Sequence, residues 1–208
     1  MITNIIQIPI FDTPEICIAW VSVIDERDTS PPWRTAQHSA GRKALANASL
    51  VYGLDSEDAV FKIVDEVGGK LIDAWGGTLA SASIAHTGNI ALAVVGPGRF
   101  SLGIDVEHAN RIVGPDVLRL VSSEDELATF TDLASDAEML AVWTKKEAVG
   151  KATGHGLAVA KETFPIDNES WSWNSRIFSV ISWNAVLDIR SYNISLAVES
   201  GSIADSVG

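Results

Sequence analysis

Apolar and polar positions along the chain fall into runs of two kinds. Ile16 to Ile24 (ICIAWVSVI) is continuous and rich in β-branched residues, which predicts a strand. Pro31 and Pro32 precede Trp33 to Val51, where Ala and Leu dominate and Gly41 is the one breaker, so a helix is expected there. A second helix is expected from an N-cap at Ser56 to about Val67, with Glu57 and Asp58 in its first turn and Gly68-Gly69 at its end. After Gly76-Gly77 come three strand-like runs, Leu79 to Ala85, Ile90 to Val95 and Phe100 to Glu107. Turns at Thr87-Gly88-Asn89 and Gly96-Pro97-Gly98 separate them. Glu124 to Phe130 reads as a short helix. Ala134 to Thr153 is the longest helical pattern, with Met139, Leu140, Val142, Trp143 and Val149 for an apolar stripe and Gly154 and Gly156 to stop it. Arg176 to Trp183 and Tyr192 to Val198 read as the last strands, with Val186 to Ile189 a candidate between them, and Ser200 to Gly208 is expected to fray.

Each half of this pattern holds a strand, a long helix and further strands. The expected class is therefore α+β, with an internal duplication that leaves no clear residue-level repeat. The expected halves are 1–98 and 99–208. With 208 residues, 47% of them apolar, the chain can bury the core of one large domain or two small ones in close contact. Three of the seven Trp lie at 171, 173 and 183; alternating Trp171 and Trp173 would share one face of a strand and pack in the core. Cys17, the single cysteine, excludes an intramolecular disulfide and a Cys-rich zinc site, and its apolar surroundings predict a buried small hydrophobe.

Charge narrows the function. A net −12 disfavours nonspecific binding to nucleic acid. No uncharged apolar stretch approaches the roughly 18 residues a membrane span needs, and MITNIIQIPIFDTPE lacks a basic leader, so a cytoplasmic protein is expected. In so acidic a chain, any anionic ligand must be received by a local basic site or by a metal.

Three groups of residues carry candidate chemistry. In Gly103-Ile104-Asp105-Val106-Glu107, a strand would project Asp105 and Glu107 from one face, about 7 Å apart. Such a pair is either two surface acids at a strand end or oxygen ligands suited to Mg²⁺. In Trp143-Thr144-Lys145-Lys146-Glu147-Ala148-Val149-Gly150-Lys151, a helix would set Trp143, Glu147 and Lys151 on one side. Glu147 and Lys151 are then an ordinary surface pair, or a shielded pair drawn inward by Trp143. Ser83-Ile84-Ala85-His86-Thr87-Gly88 would run a strand into a turn and present His86 there, as a surface histidine or toward a ligand.

Together, in this order and spacing, these elements resemble the 4′-phosphopantetheinyl transferase superfamily. GIDVE resembles its G-I-D-x-E strand, and WTKKEAVGK resembles its W-S/T-x-K-E-A/S-x-x-K helix, with Glu147 placed 42 residues beyond Asp105. SIAHTG, Arg34 and Gly41-Arg42 resemble elements of the larger, surfactin-synthetase-activating branch, and Gly154-His155-Gly156-Leu157 resembles a G-x-G-L turn. The chain departs from that pattern at Ala85, where a serine is usual, and at Leu71, where Gly-Lys-Pro is usual.

The resemblance implies transfer of 4′-phosphopantetheine from coenzyme A to a serine of an apo acyl or peptidyl carrier protein, with Mg²⁺. It implies Asp105, Glu107 and Glu147 as metal ligands, Glu147 also as general base, and Lys151 as the group that stabilises departing 3′,5′-ADP, with Lys146 as a second basic group. Arg34, Arg42, Lys70 and His86 would hold the 3′-phosphate and adenine. The implied fold is a pseudo-twofold pair of α+β halves with coenzyme A between them, working as a monomer. A metal-dependent hydrolase of nucleotide pyrophosphates and a silent coenzyme A-binding module are the alternatives.

Overall fold

A computed structural model describes residues 4–6, 16–22, 33–54, 59–60, 69–73, 77–133 and 135–202. Its strands form two antiparallel sheets. The first contains β1 (Asn4–Ile6), β2 (Cys17–Ser22), β3 (Ala59–Val60), β4 (Gly69–Asp73), β5 (Thr78–Thr87) and β6 (Ile90–Pro97), in the spatial order β1-β2-β6-β5-β4-β3. The second contains β7 (Leu102–His108), β8 (Phe164–Pro165), β9 (Ser170–Trp173), β10 (Arg176–Leu187) and β11 (Arg190–Ser202), in the order β7-β11-β10-β9-β8.

The period-2 alternation of the strands decides how the sheets are covered. On β6, Ile90, Leu92 and Val94 face one side and Ala93 and Val95 the other. The first set meets Ile104 and Val106 of β7 and Ile194 and Leu196 of β11, so the sheets pack on each other through a shared apolar core. The second set lies under helix α1 (Trp33–Tyr52), whose small Ala44 and Ala48 let it settle close to the sheet. The second sheet carries helix α4 (Asp136–Thr153) on its outer face, where Ala148, Val149 and Ala152 pack with Trp171, Trp173 and Phe178. Each sheet thus has one long helix on its outer face. The class is α+β, and the repeated sheet-plus-helix plan accords with a duplication.

Local chemistry sets the ends of α4. Ser135 and Glu138 form a capping box at its start, and Gly154 closes it in the left-handed conformation (φ 78°). Helices α2 (Pro115–Val121) and α3 (Glu124–Leu133) fill the connection from β7, and a 3₁₀ segment, Gly156–Glu162, follows α4.

Several expectations need correction. Ala59 and Val60, expected in a helix, pair with Asp73 and Ile72 instead; a sheet ladder overrides local helix preference. The rest of that expected helix lies outside the described residues. Val186 and Leu187 end β10, and the following Asp188 and Ile189 take positive φ (46° and 65°) in a tight hairpin turn, so no separate strand forms. β6 continues through Pro97, which moves the next turn to Gly98 and Arg99. Cys17 is half-buried rather than fully buried, and burial raises its thiol pKa. β11 runs on to Ser202 where fraying was expected.

Candidate active site

The candidate residues gather where β7 passes beneath α4. Gly103, Asp105 and Glu107 share the face of β7 turned to the helix, while Ile104 and Val106 point into the core. Gly103 makes the approach possible. A Cβ at that position would lie 1.9 Å from the carbonyl oxygen of Ala148 and 2.5 Å from the nitrogen of Ala152, inside the helix backbone. The close crossing brings the last turns of α4 to the acids of the strand.

Lys151 donates from Nζ to Asp105 Oδ1 (2.8 Å) and to the Ile104 carbonyl (3.0 Å). The N–H of Ile104 donates in turn to the Ser83 hydroxyl of β5 (3.2 Å). Both edge groups of β7 at this residue are therefore occupied by side chains, which blunts an otherwise open sheet edge. The second oxygen of Asp105, Oδ2, is buried and has no hydrogen-bond partner among the described residues.

Glu147 completes an electrostatic cluster. Burial first, and then the charge of Asp105, push its carboxyl up to about 7, while Lys151 and Arg111 pull the other way. A carboxyl balanced between its two forms near neutrality is suited to accept a proton. Glu107 is turned differently: its Oε1 is ion-paired with Arg111, and its Oε2 accepts from the Thr87 hydroxyl (2.8 Å). Beneath the acids, Ser195 and Asn193 of β11 stand opposite Asp105 and Glu107, and both contact the Thr144 hydroxyl of α4 (2.8 and 2.7 Å). This polar seam ties α4 to the sheet one turn before Glu147.

Asp105, Glu147 and Lys151 are thus brought together, with Glu107 beside them but engaged elsewhere. Among the described residues, no three His, Cys, Asp or Glu side chains come together as a metal-binding group. The donor set nevertheless fits a hard divalent cation. Asp105 offers an unpartnered oxygen, and Glu147, whose carboxyl is raised first by burial and then by the charge of Asp105, lies close enough to feel that acid.

The basic residues divide. His86 is exposed near the end of β5, its ring 5.8 Å from that of His38 in an edge-on contact, and the last residue of the strand, Thr87, reaches Glu107. His38 lies one helical turn before the exposed Arg42, and positions 34, 38 and 42 share one side of α1. The side chain of Arg34 is outside the described residues.

Lys70 is elsewhere: its ammonium contacts the carbonyls of Gly98 and Phe100 (both 2.9 Å) and the Ser81 hydroxyl (2.5 Å). Ser81 is six residues from Thr87 along β5, or about 20 Å in an extended strand. Lys70 therefore clamps the β6–β7 connection, and the geometry does not bring it to the acids. Burial lowers its pKa.

Lys146 departs furthest from expectation. Its side chain is 0% exposed, and Nζ donates to Glu126 Oε2 (2.9 Å) and to the carbonyls of Ala160 (2.9 Å) and Thr163 (2.8 Å). All three ammonium protons hold α3 and the 3₁₀ segment against α4, so none remains for a ligand. We predict that Lys146→Ala costs about 3 kcal/mol of stability by leaving Glu126 uncompensated, while the activity of the folded fraction is unchanged. Urea melts and steady-state kinetics check both parts.

Arg111, Thr87, His38 and the Thr144 seam were missed by sequence reasoning. Arg111 lies four residues after Glu107, but the intervening stretch has no helical periodicity to signal the pair.

Residues 101–197 match the family model of the 4′-phosphopantetheinyl transferase superfamily. The matched stretch spans β7 to the middle of β11 and so contains Asp105, Glu107, Glu147, Lys151 and Arg111. It supports phosphopantetheinyl transfer in general, a carrier-modifying transferase chemistry. No curated protein matches the chain. Among the described residues, no helix is long and apolar enough to cross a membrane.

Proposed function

We propose that this protein transfers the 4′-phosphopantetheine group of coenzyme A to a serine hydroxyl of an apo acyl or peptidyl carrier protein, with Mg²⁺, releasing 3′,5′-ADP. One observation carries the reading: a largely buried carboxyl with a pKa near 7 stands beside a paired Asp–Lys, within the stretch that matches the superfamily. In this scheme Asp105, Glu147 and, once freed, Glu107 hold the metal, which when bound neutralises charge on the phosphoryl oxygens. Glu147 takes the proton from the carrier serine as the serine oxygen bonds to phosphorus and the bond to 3′,5′-ADP breaks. Lys151, fixed by Asp105 and the Ile104 carbonyl, sets positive charge beside the departing phosphate.

His86 and Arg42, with His38 between their elements, receive the 3′-phosphate; Arg34 shares their helix side. Lys70 and Lys146 are left out as structural groups. Both sheets lie in one chain and share a core, which supports a working monomer of halves 1–98 and 99–208. A cytoplasmic site of action accords with the substrates.

Incubation with coenzyme A, Mg²⁺ and an apo carrier should add the mass of one phosphopantetheine group to the carrier, read by mass spectrometry. Release of 3′,5′-ADP without a carrier would instead favour the pyrophosphate hydrolase. His86→Ala should raise the KM for coenzyme A by about tenfold, the loss of one charge-assisted contact, and raise it less for 3′-dephospho-coenzyme A. Equal effects on the two substrates would contradict the assigned contact.

A further inference from the structure

The two cations at the acid cluster are held in different ways. Lys151 is tied at two points, Asp105 and the Ile104 carbonyl, and its side chain is 15% exposed. Among the described residues Arg111 is ion-paired only with Glu107, and its side chain is 37% exposed against 14% for its partner. Its guanidinium also lies over the indole of Trp143, 5.3 Å from the ring centre. Glu107 has both oxygens committed, one to Arg111 and one to Thr87. Each oxygen keeps a second lone pair, so a divalent cation at Glu107 would share the carboxylate with Arg111 only against the repulsion between the two cations.

We propose that Arg111 is the resident counter-ion of this site: it neutralises Glu107 until a divalent cation arrives, and repulsion between the two cations then displaces it from the carboxylate. Metal entry is then an exchange of cations at Glu107. The inference rests on the metal reading of the acids given above, and it makes Arg111 a positioning residue acting through Glu107. Three features favour Arg111 as the group that moves. It is the more exposed cation, it lacks the backbone tie that Lys151 makes to the Ile104 carbonyl, and the Trp143 face offers it a resting place after release. Lys151, bound to strand backbone, stays.

The exchange sets the sign of a measurement made without turnover. Mn²⁺ binding, read by electron paramagnetic resonance or calorimetry with no coenzyme A or carrier present, should be about tenfold tighter in Arg111→Gln than in wild type, because one partly buried charged hydrogen bond no longer competes. Arg111→Lys keeps the competing charge and should bind close to wild type, and Asp105→Asn should lose the site.

If wild type binds Mn²⁺ through Asp105 but Arg111→Gln binds equally or more weakly, the exchange is overturned and the metal reading survives. Tightening in Arg111→Lys equal to that in Arg111→Gln would also overturn it, since charge would not be the cause. Absence of Asp105-dependent Mn²⁺ binding in both wild type and Arg111→Gln would overturn the metal reading, and the exchange with it.

Discussion

Glu147→Gln is expected to slow phosphopantetheinyl transfer by about two to four orders of magnitude while the protein remains folded. The amide keeps the shape of the side chain and removes the proton acceptor. The same variant has a second, independent signature in the metal-free protein. The native carboxyl titrates at about 7, above its ordinary 4.5. A value raised on folding means that the native state holds a proton the unfolded chain has released. The stability from this group is therefore complete below about pH 4.5 and lost as pH rises through about 7, a change of about 3 kcal/mol. Urea denaturation in chelator at pH 5 and pH 8 should show that loss in wild type and a flatter dependence in Glu147→Gln. Identical pH slopes would remove the buried acid, and normal turnover would remove the base.

The parts of this picture visible in the sequence are those with a short period or a local signal. β7 and α4 were legible because GIDVE alternates and because 134–153 has a helical stripe ended by glycines. That Asp105 and Glu147 belong to one site was implied by resemblance rather than periodicity, and the pairing of Asp105 with Lys151, 46 residues apart, was not foreseen. Contacts between distant residues were not legible. Nothing local says that Ser83 caps Ile104 or that Thr144 meets Ser195. Lys146 and Lys151 lie on one helix five residues apart, about 140° around its axis, so helix geometry puts them on different faces; that α3 and the 3₁₀ segment cover the first was not legible. The short strands β3 and β4 carry too few residues for alternation to reveal them, so a helix was read across the residues that form β3.

Gly103→Ala should be the most damaging small substitution in the second sheet. The added methyl cannot be absorbed by a rotamer change, because the atoms it meets are the Ala148 carbonyl and the Ala152 nitrogen of the α4 backbone. Either α4 lifts from β7 or the strand bends away from β11, with which Gly103 pairs at Ala197. Overpacking of this kind against rigid backbone costs about 3 kcal/mol or more. The functional loss should exceed the stability loss, since lifting α4 separates Lys151 from Asp105 and carries Glu147 with it. Calorimetry should show a lowered Tm, and kcat should fall at temperatures where the variant is still folded. The Ser83→Ala variant, which removes only the cap on the Ile104 N–H, should lose about 1 kcal/mol and keep most of its activity. A Gly103→Ala protein with wild-type Tm and kcat would mean that the helix does not ride directly on the strand, and the link between that contact and the acid cluster would be lost.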